Sequence, residues 1–247
     1  MPANHRLEAT VVRGGVVEGI LAEAVRGIAA PTVLDCGGGT GRYAVPLAAS
    51  GAAVTVVDIS ADALATLRRR AEDAHVAERI VAVQGDVEAP SDALGALVSR
   101  GGFGGFDLVL AHGILEVVDS AGLTFAGIAA TVRRGGLLSV LVGNPAAVVL
   151  GRALAGDLAG AERELALLDA DGDQPGPDLV QRLCAEHGLV VQQVHGIGVF
   201  RDLVPGSALD APGAREALDR VEDACAQRSP FAEIAARVHV LARRPAS

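Results

Sequence analysis

The stretch Val33-Leu34-Asp35-Cys36-Gly37-Gly38-Gly39-Thr40-Gly41, followed by Val54-Thr55-Val56-Val57-Asp58, decides the fold. It reads as a strand, a glycine turn, a helix and a second strand closed by an acid, the layout of a nucleotide-cofactor site. Glycine has no Cβ, so backbone built from it takes positive φ and comes within van der Waals reach of a ligand. The closing acid, Asp58, can accept hydrogen bonds from both hydroxyls of a ribose. It stands 17 residues after Gly41 (58 minus 41), near the roughly 20 expected of a ribose acid.

The spacing separates two cofactor classes. A dinucleotide site requires G-x-G-x-x-G, whereas the chain has Gly37-x-Gly39-x-Gly41 with Asp35 two residues ahead. A pyrophosphate is held by helix dipole and free N–H groups, and a neighbouring carboxylate would repel it. The same carboxylate suits a ligand that carries an amine and a sulfonium. S-adenosyl-L-methionine has both, together with a ribose, and its demethylated product is S-adenosyl-L-homocysteine. The alternatives are a structural glycine turn in any α/β protein, a degenerate NAD site, or a cofactor-binding module without catalysis.

Outward from this stretch, strands and helices alternate. A helix is expected over residues 6 to 29, broken at Gly14-Gly15, and another from Tyr43 to Ser50. Ser60 is placed to cap a helix from Ala61 to about Ala74. Strands are expected at Ile80 to Gln84, Phe106 to Ala111 and Leu137 to Val142. A helix from Ala121 to Val132 is expected to stop at Gly135-Gly136. Pro145 to Ala170 reads as helical and runs into the loop Asp169 to Pro177. The remainder reads as a helix (Asp178 to His187), a strand (Leu189 to Phe200), a helix (Ala214 to Gln227) and a closing strand (Ala236 to Arg243). The pattern predicts a doubly wound, Rossmann-like α/β sheet of about seven mostly parallel strands, with helices on both faces and a helical insert after strand five. The cofactor should lie across the C-terminal ends of strands one to four. One domain is expected over 1–247: a helical cap (1–30), a cofactor-binding core (31–144), an insert on the acceptor side (145–187) and C-terminal strands and helix (188–247).

Composition narrows the chemistry. Half of the 247 residues are apolar and the formal charge is −9. The charge opposes sequence-blind nucleic-acid binding while leaving room for a local basic patch. All 21 basic residues are arginine, which removes lysine Schiff-base chemistry and the P-loop lysine. The three cysteines, Cys36, Cys184 and Cys225, form no C-x-x-C pair, so no thiolate metal site, disulfide framework or disulfide-linked partner is expected. No apolar stretch is long and clean enough for a membrane, and the N-terminus lacks a signal-peptide core, so a cytoplasmic location is expected.

Taken in order, Asp35-x-Gly37-Gly38-Gly39-x-Gly41, Asp58, Gly85-Asp86-Val87, Phe106-Asp107-Leu108-Val109-Leu110 and Arg134-Gly135-Gly136 resemble the class I S-adenosyl-methionine-dependent methyltransferases. Leu110 to Glu116, Gly196 to Asp202 and Ala236 to Pro245 are similar to the bacterial tRNA 5-carboxymethoxyuridine methyltransferases, which methylate a carboxylate on a modified wobble uridine. The resemblance implies cofactor contacts at Arg13, Gly37, Gly38, Asp58, Val87, Glu88 and His112. The chain departs from that family after strand five. Where the family is lysine-rich, residues 157 to 173 hold six acids and one arginine, and aromatic residues total only 2%.

The residues themselves suggest further roles. Asp35 is expected to orient the methionine amine, with Gly39 and Gly41 completing the turn. Asp58, with Ile59 beside it, is expected at the ribose. Asp86 is expected to accept from the adenine amino group, with Val87 against the ring and Glu88 competing for the polar role. His112, just past strand four, is either a cofactor contact or a general base. Arg13 is expected to pair with the cofactor carboxylate. Asn144 and Arg201 are expected to face the acceptor, Arg201 otherwise pairing with Asp202. His195 and His239 are assigned to the sheet. The acceptor is left as tRNA or a small metabolite. A tRNA substrate would require arginines such as Arg13, Arg152, Arg201 and Arg244 to converge at the pocket mouth.

Overall fold

Apolar runs such as Val33-Leu34 and Leu108 to Ala111 are buried on both sides, which is what strands in the middle of a helix-covered parallel sheet require. The computed structural model describes residues 15–88, 104–170 and 174–246. Its strands are β1 (Thr32–Cys36), β2 (Ala53–Asp58), β3 (Ile80–Gln84), β4 (Phe106–His112), β5 (Val132–Gly143), β6 (Val190–Ile197) and β7 (Arg237–Arg243). They form a seven-stranded sheet in the order β3-β2-β1-β4-β5-β7-β6. Only β7 runs antiparallel to its neighbours. The order reverses between β1 and β4, and a doubly wound sheet opens its ligand crevice at that point.

The described helices are α1 (Val16–Ala24), α2 (Ala44–Ala49), α3 (Ala61–Asp73), α4 (Ala121–Ala130), α5 (Pro145–Leu154), α6 (Leu158–Ala170), α7 (Pro177–Glu186) and α8 (Ala214–Cys225). Side chains alternate across a strand, and two cores follow. Leu34, Val109, Leu138 and Val140 pack with Phe125 and Ile128 of α4 and Val180 and Leu183 of α7. Val33, Leu108, Leu110 and Leu141 pack with Leu21 of α1, Leu47 of α2 and Leu64 and Leu67 of α3. The second face also carries Asp35, His112, Ser139, His239 and Arg237, because each stands an even number of residues from a member of that core on its own strand.

Several boundaries differ from the sequence expectation. The first helix is described only over Val16–Ala24, and residues 1–14 lie outside the described residues. The helix before β5 ends at Ala130, not at the glycines. Thr131 caps it, and β5 begins at Val132. Gly135 (φ +76°) and Gly136 sit inside β5, where the register with β4 jumps from Phe106↔Val132 to Leu108↔Leu137. A Cβ on Gly136 would lie 2.8 Å from the Phe106 carbonyl oxygen, so these glycines serve a β-bulge. The helical insert divides at Gly156, and Asp157 restarts it by accepting from the Gly160 N–H at 2.9 Å. Ser60 caps α3 as expected, accepting from the Ala63 N–H at 3.2 Å.

The strand starts opposite the crevice are tied by Asp107. One carboxylate oxygen accepts from the Thr32 N–H (2.8 Å) and hydroxyl (2.7 Å), and the other from Arg133 Nε (2.6 Å). Burial by itself raises this carboxyl, but the bonds from Thr32 and Arg133 hold it below its usual value. Its contribution is therefore present above the ordinary carboxylate pKa and fades as pH falls through the lowered one. Asp107→Ala should lower the unfolding free energy by about 2 kcal/mol, the scale of partly buried donors left unpaired. Urea denaturation at neutral pH checks this, and an unmoved midpoint would show that the network does not hold the strand starts.

Candidate active site

β1 ends at Cys36 and the chain turns through Gly37 to Gly41 before α2. Gly38 is required by space: a Cβ there would lie 2.5 Å from the Asp35 carboxylate and 2.8 Å from Val56 Cγ1. Gly39 is required by conformation, with φ +54°. Its N–H donates to Asp58 Oδ2 at 2.8 Å, across from the tip of β1 to the tip of β2. The Ser60 N–H donates to Asp58 Oδ1, also at 2.8 Å. The Asp58 carboxylate is thereby fixed in place, and each oxygen keeps a second lone pair for a ligand.

Asp35 is the unusual group. It is 2% exposed, and its Oδ2 has no hydrogen-bond partner among the described residues. Burial, and then the charge of Asp58, push its pKa up to about 7. A buried carboxylate without a partner is costly, and a cationic ligand relieves both causes at once. Together with the cradle at Gly38, which a Cβ would fill, this donor set fits the ammonium and sulfonium of S-adenosyl-methionine. Cys36 beside it is buried, and burial raises its thiol pKa, so it stays protonated.

A cleft of about 190 Å³ opens onto this turn, lined by Asp35, Gly37, Gly38, Arg42, Tyr43, His112, Leu141 and Arg237. His112 Nε2 lies 2.8 Å from Ser139 Oγ, while its buried Nδ1 has no partner among the described residues. The Tyr43 ring stands edge-on to the His112 ring at 4.7 Å. Burial, and then the neighbouring His239, Arg237 and Arg42, hold His112 well below the ordinary histidine pKa, so the ring is neutral at neutral pH. Arg42 reaches Glu18 at 3.3 Å from a largely exposed position. Arg237 has no carboxylate partner among the described residues. A larger cleft, about 460 Å³, lies between the start of α4 and α7 and includes none of the glycine-turn residues.

The remaining sequence candidates divide. Ile59 is 71% exposed at the tip of β2. Asp86 accepts from the Glu88 N–H at 2.9 Å, in a local turn. Val87 is buried against the core. Glu88 accepts from the Asp119 N–H at 2.8 Å and the Ser120 N–H at 3.4 Å, engaging its carboxylate with the loop before α4. Asn144 does not stand free on the acceptor side. It is 4% exposed, donates to the carbonyls of Glu233 (2.8 Å) and Ala235 (2.9 Å), and caps α5 through the Ala146 N–H. Arg201 pairs neither with a free face nor with Asp202; it reaches Asp219 on α8 at 2.7 Å. Arg13 lies outside the described residues.

Arg42, Tyr43, Leu141 and Arg237 were not anticipated as lining residues. For Arg42 and Tyr43 the signal was their position directly after Gly41. For Arg237 it was parity with His239 on β7, legible only once β7 is known to pair with β5.

Residues 33–136 match a family model described as a methyltransferase domain. The tRNA 5-carboxymethoxyuridine methyltransferase of Escherichia coli (strain K12) is 25% identical over 219 residues, covering 87% of this chain and 80% of that protein. The release factor glutamine methyltransferase of Chlorobaculum tepidum is 37% identical over 111 residues, 43% of this chain and 35% of that protein. Among solved structures, magnesium protoporphyrin IX methyltransferase from Synechocystis PCC 6803 with bound S-adenosyl-homocysteine superposes with a TM-score of 0.55 at 15% identity. That match covers 92% of this chain and 80% of that one. At that identity the likeness concerns the fold.

Two outcomes test the site. A cation beside Asp35 favours the ionised carboxylate, so below pH 7 binding must release a proton. Affinity for S-adenosyl-methionine should rise with pH, by at most roughly tenfold per unit, and level off above about pH 7. Titration calorimetry in buffers of different ionisation enthalpy reads the released proton, and Asp35→Asn should abolish the release. Gly38→Ala should leave the far-ultraviolet dichroism unchanged yet weaken S-adenosyl-homocysteine binding by about tenfold or more, on the scale of overpacking a tight site. The matched methyltransferase domain opens on this turn, and the chain is an S-adenosyl-methionine-dependent methyltransferase.

Proposed function

We propose that the acceptor is a carboxylate, methylated on oxygen. The observation that carries this reading is the composition of the cleft. Arg237, with no carboxylate partner among the described residues, and Arg42, held by Glu18, stand beside a histidine that is neutral and already bonded to Ser139. Such a cleft attracts an anion and offers little to a group that must first lose a proton.

In this reading Asp35 orients the methionine amine, the backbone of Gly37, Gly38, Gly39 and Gly41 follows the cofactor, and Asp58 receives the ribose hydroxyls. Ile59 and Val87 flank the adenine, Asp86 accepts from its amino group, and Glu88 supports the adjoining loop. Arg13 meets the cofactor carboxylate, leaving Arg237 for the acceptor. Bound there, S-adenosyl-methionine supplies a methyl group on a positively charged sulfur, an already activated electrophile. A carboxylate is ionised at neutral pH, so no side chain has to take a proton. The protein contributes alignment, proximity and exclusion of water. His112 acts by contact, not as a base. The whole chain works as one domain. A cytoplasmic setting is supported by the free thiols Cys36, Cys184 and Cys225.

The acceptor carboxylate we favour is that of a carboxymethoxylated wobble uridine in tRNA. The Escherichia coli protein, matched across most of both chains, supports it. A specific observation favours a second reading, a small carboxylate metabolite. Arg152 is engaged by Asp157 (3.0 Å) and Glu164 (2.8 Å), Arg201 by Asp219, and Arg244 by the Ala129 carbonyl, so these arginines do not form a free patch for a polyanion.

Incubation with tRNA carrying carboxymethoxyuridine, against a pool of small carboxylic acids, separates the two by where a base-labile methyl ester forms. An ester on neither would end the carboxylate reading. Arg237→Ala should raise the acceptor KM by about tenfold, the loss of one charge-assisted pair, while S-adenosyl-homocysteine binds within about twofold of wild type. His112→Ala should slow turnover by less than the roughly 10² or more expected of a lost general base. A larger loss with cofactor affinity intact would show that a base is used.

A further inference from the structure

The face of the sheet that bears the cleft carries a buried polar chain that methyl transfer by itself does not explain. It starts at His112 on β4, crosses β5 and β7, and leaves the sheet beyond β6. His112 Nε2 is 2.8 Å from Ser139 Oγ, and Ser139 Oγ is 2.7 Å from His239 Nε2. His239 Nδ1 is 3.4 Å from His195 Nδ1, and His195 Nε2 is 2.6 Å from the side-chain nitrogen of Gln227. Ser139 and His239 are 0% exposed and His195 6% exposed, while Gln227 is at the surface. Sheet register builds the row: His195 faces His239 across β6 and β7, and His239 and Ser139 form a diagonal pair on one face, two residues apart in the β7–β5 register.

Burial holds all three rings below the ordinary histidine value, His239 at about 3, so each is neutral at neutral pH. A neutral imidazole has one N–H and one lone pair, and a serine hydroxyl has one proton to give. Every link then fixes the next. The Gln227 amide N–H donates to His195 Nε2, so the His195 proton sits on Nδ1. It points at His239 Nδ1, which must accept, so the His239 proton sits on Nε2. That proton goes to Ser139 Oγ, and the hydroxyl proton of Ser139 is left for His112 Nε2. The remaining proton of His112 is on Nδ1, the atom with no partner among the described residues.

We propose that Gln227, His195, His239 and Ser139 are positioning residues that hold His112 as its Nδ1–H tautomer, with its lone pair engaged, so that the ring serves the cleft as a hydrogen-bond donor and not as a base. The consequence for the acceptor rests on the carboxylate reading above, whereas the tautomer itself does not. A ring so held selects an acceptor that arrives ionised and leaves an amine or phenol without a proton sink.

The polarity of the chain is set at its exposed end, which makes it testable without disturbing the core. In Gln227→Glu a carboxylate, which only accepts, replaces the amide N–H. The His195 proton must move to Nε2, the His239 proton to Nδ1, and the His112 proton to Nε2. Nitrogen-15 spectra of the histidine-labelled full chain, ligand-free at about pH 8.5 where the rings are neutral, report which ring nitrogen bears hydrogen. Signals are assigned by their loss in single histidine substitutions. The wild type should show His112 protonated on Nδ1, and Gln227→Glu should invert all three rings. Ser139→Ala combined with Gln227→Glu should invert His195 and His239 but leave His112 unresponsive. A wild-type His112 protonated on Nε2, or an inversion that stops at His195, would overturn the proposal. The readout needs neither cofactor nor acceptor, so failure of the carboxylate reading would appear in turnover and leave these spectra as they are.

Discussion

A buried negative charge without a partner organises this site. Asp35 is placed by β1 among the apolar side chains of a mostly parallel sheet, beside the second acid Asp58, with one oxygen unpartnered among the described residues. Stability alone would replace such a group or give it a donor. The bare backbone at Gly38 leaves room beside it, and in the function proposed above a ligand that brings positive charge takes that room. Gly38 has to be bare because the carboxylate occupies the space of a side chain. Asp58, at the tip of β2, holds the turn through the Gly39 N–H and is itself fixed by the Ser60 N–H.

The alternation of side chains across the sheet carries this organisation further. One face collects Asp35, His112, Ser139, His239, His195 and Arg237, residues separated by up to about 200 positions in sequence, because parity and register leave them on the same side. The glycine-turn half of that face is covered by α1, α2 and α3. The other half keeps a row of polar groups, each with a partner except at the His112 end. The antiparallel strand β7 is central to this. Inserted between β5 and β6, it brings Arg237 to the cleft and His239 behind Ser139.

The acceptor side has a different character. Its candidate cations are mostly engaged locally. Arg152 braces the α5–α6 hairpin, Arg201 reaches α8, and Arg244 bonds a helix carbonyl. Arg237 lines the cleft with no carboxylate partner among the described residues. Asn144 and Glu222 are structural where polar residues near a site invite a functional reading. Asn144 caps α5, and Glu222 accepts from the N–H groups of Val199 (2.8 Å), Phe200 (2.9 Å) and Arg201 (2.8 Å), pinning the loop after β6.

The strand–turn–acid frame was legible in the chain because it is local. A strand, a bare-backbone turn and an acid at a fixed offset place Asp35, Gly38 and Asp58 within one β-α-β unit, and hydrophobic alternation is enough to locate that unit. Strand β3 and the cap at Ser60 were legible for the same reason. The bulge at Gly135 was not, since a helix stop and a strand irregularity both ask for positive φ, and only the β4–β5 register distinguishes them. Nor were the roles of Asn144, Arg201, Arg237 and the row from His112 to Gln227 legible, because each depends on a partner 18 to 100 residues away. By itself the sequence determined the fold class and the kind of cofactor. The tertiary structure decided which polar residues are free to meet an acceptor, because long-range pairing, not residue type, determines whether a charge or lone pair is already taken.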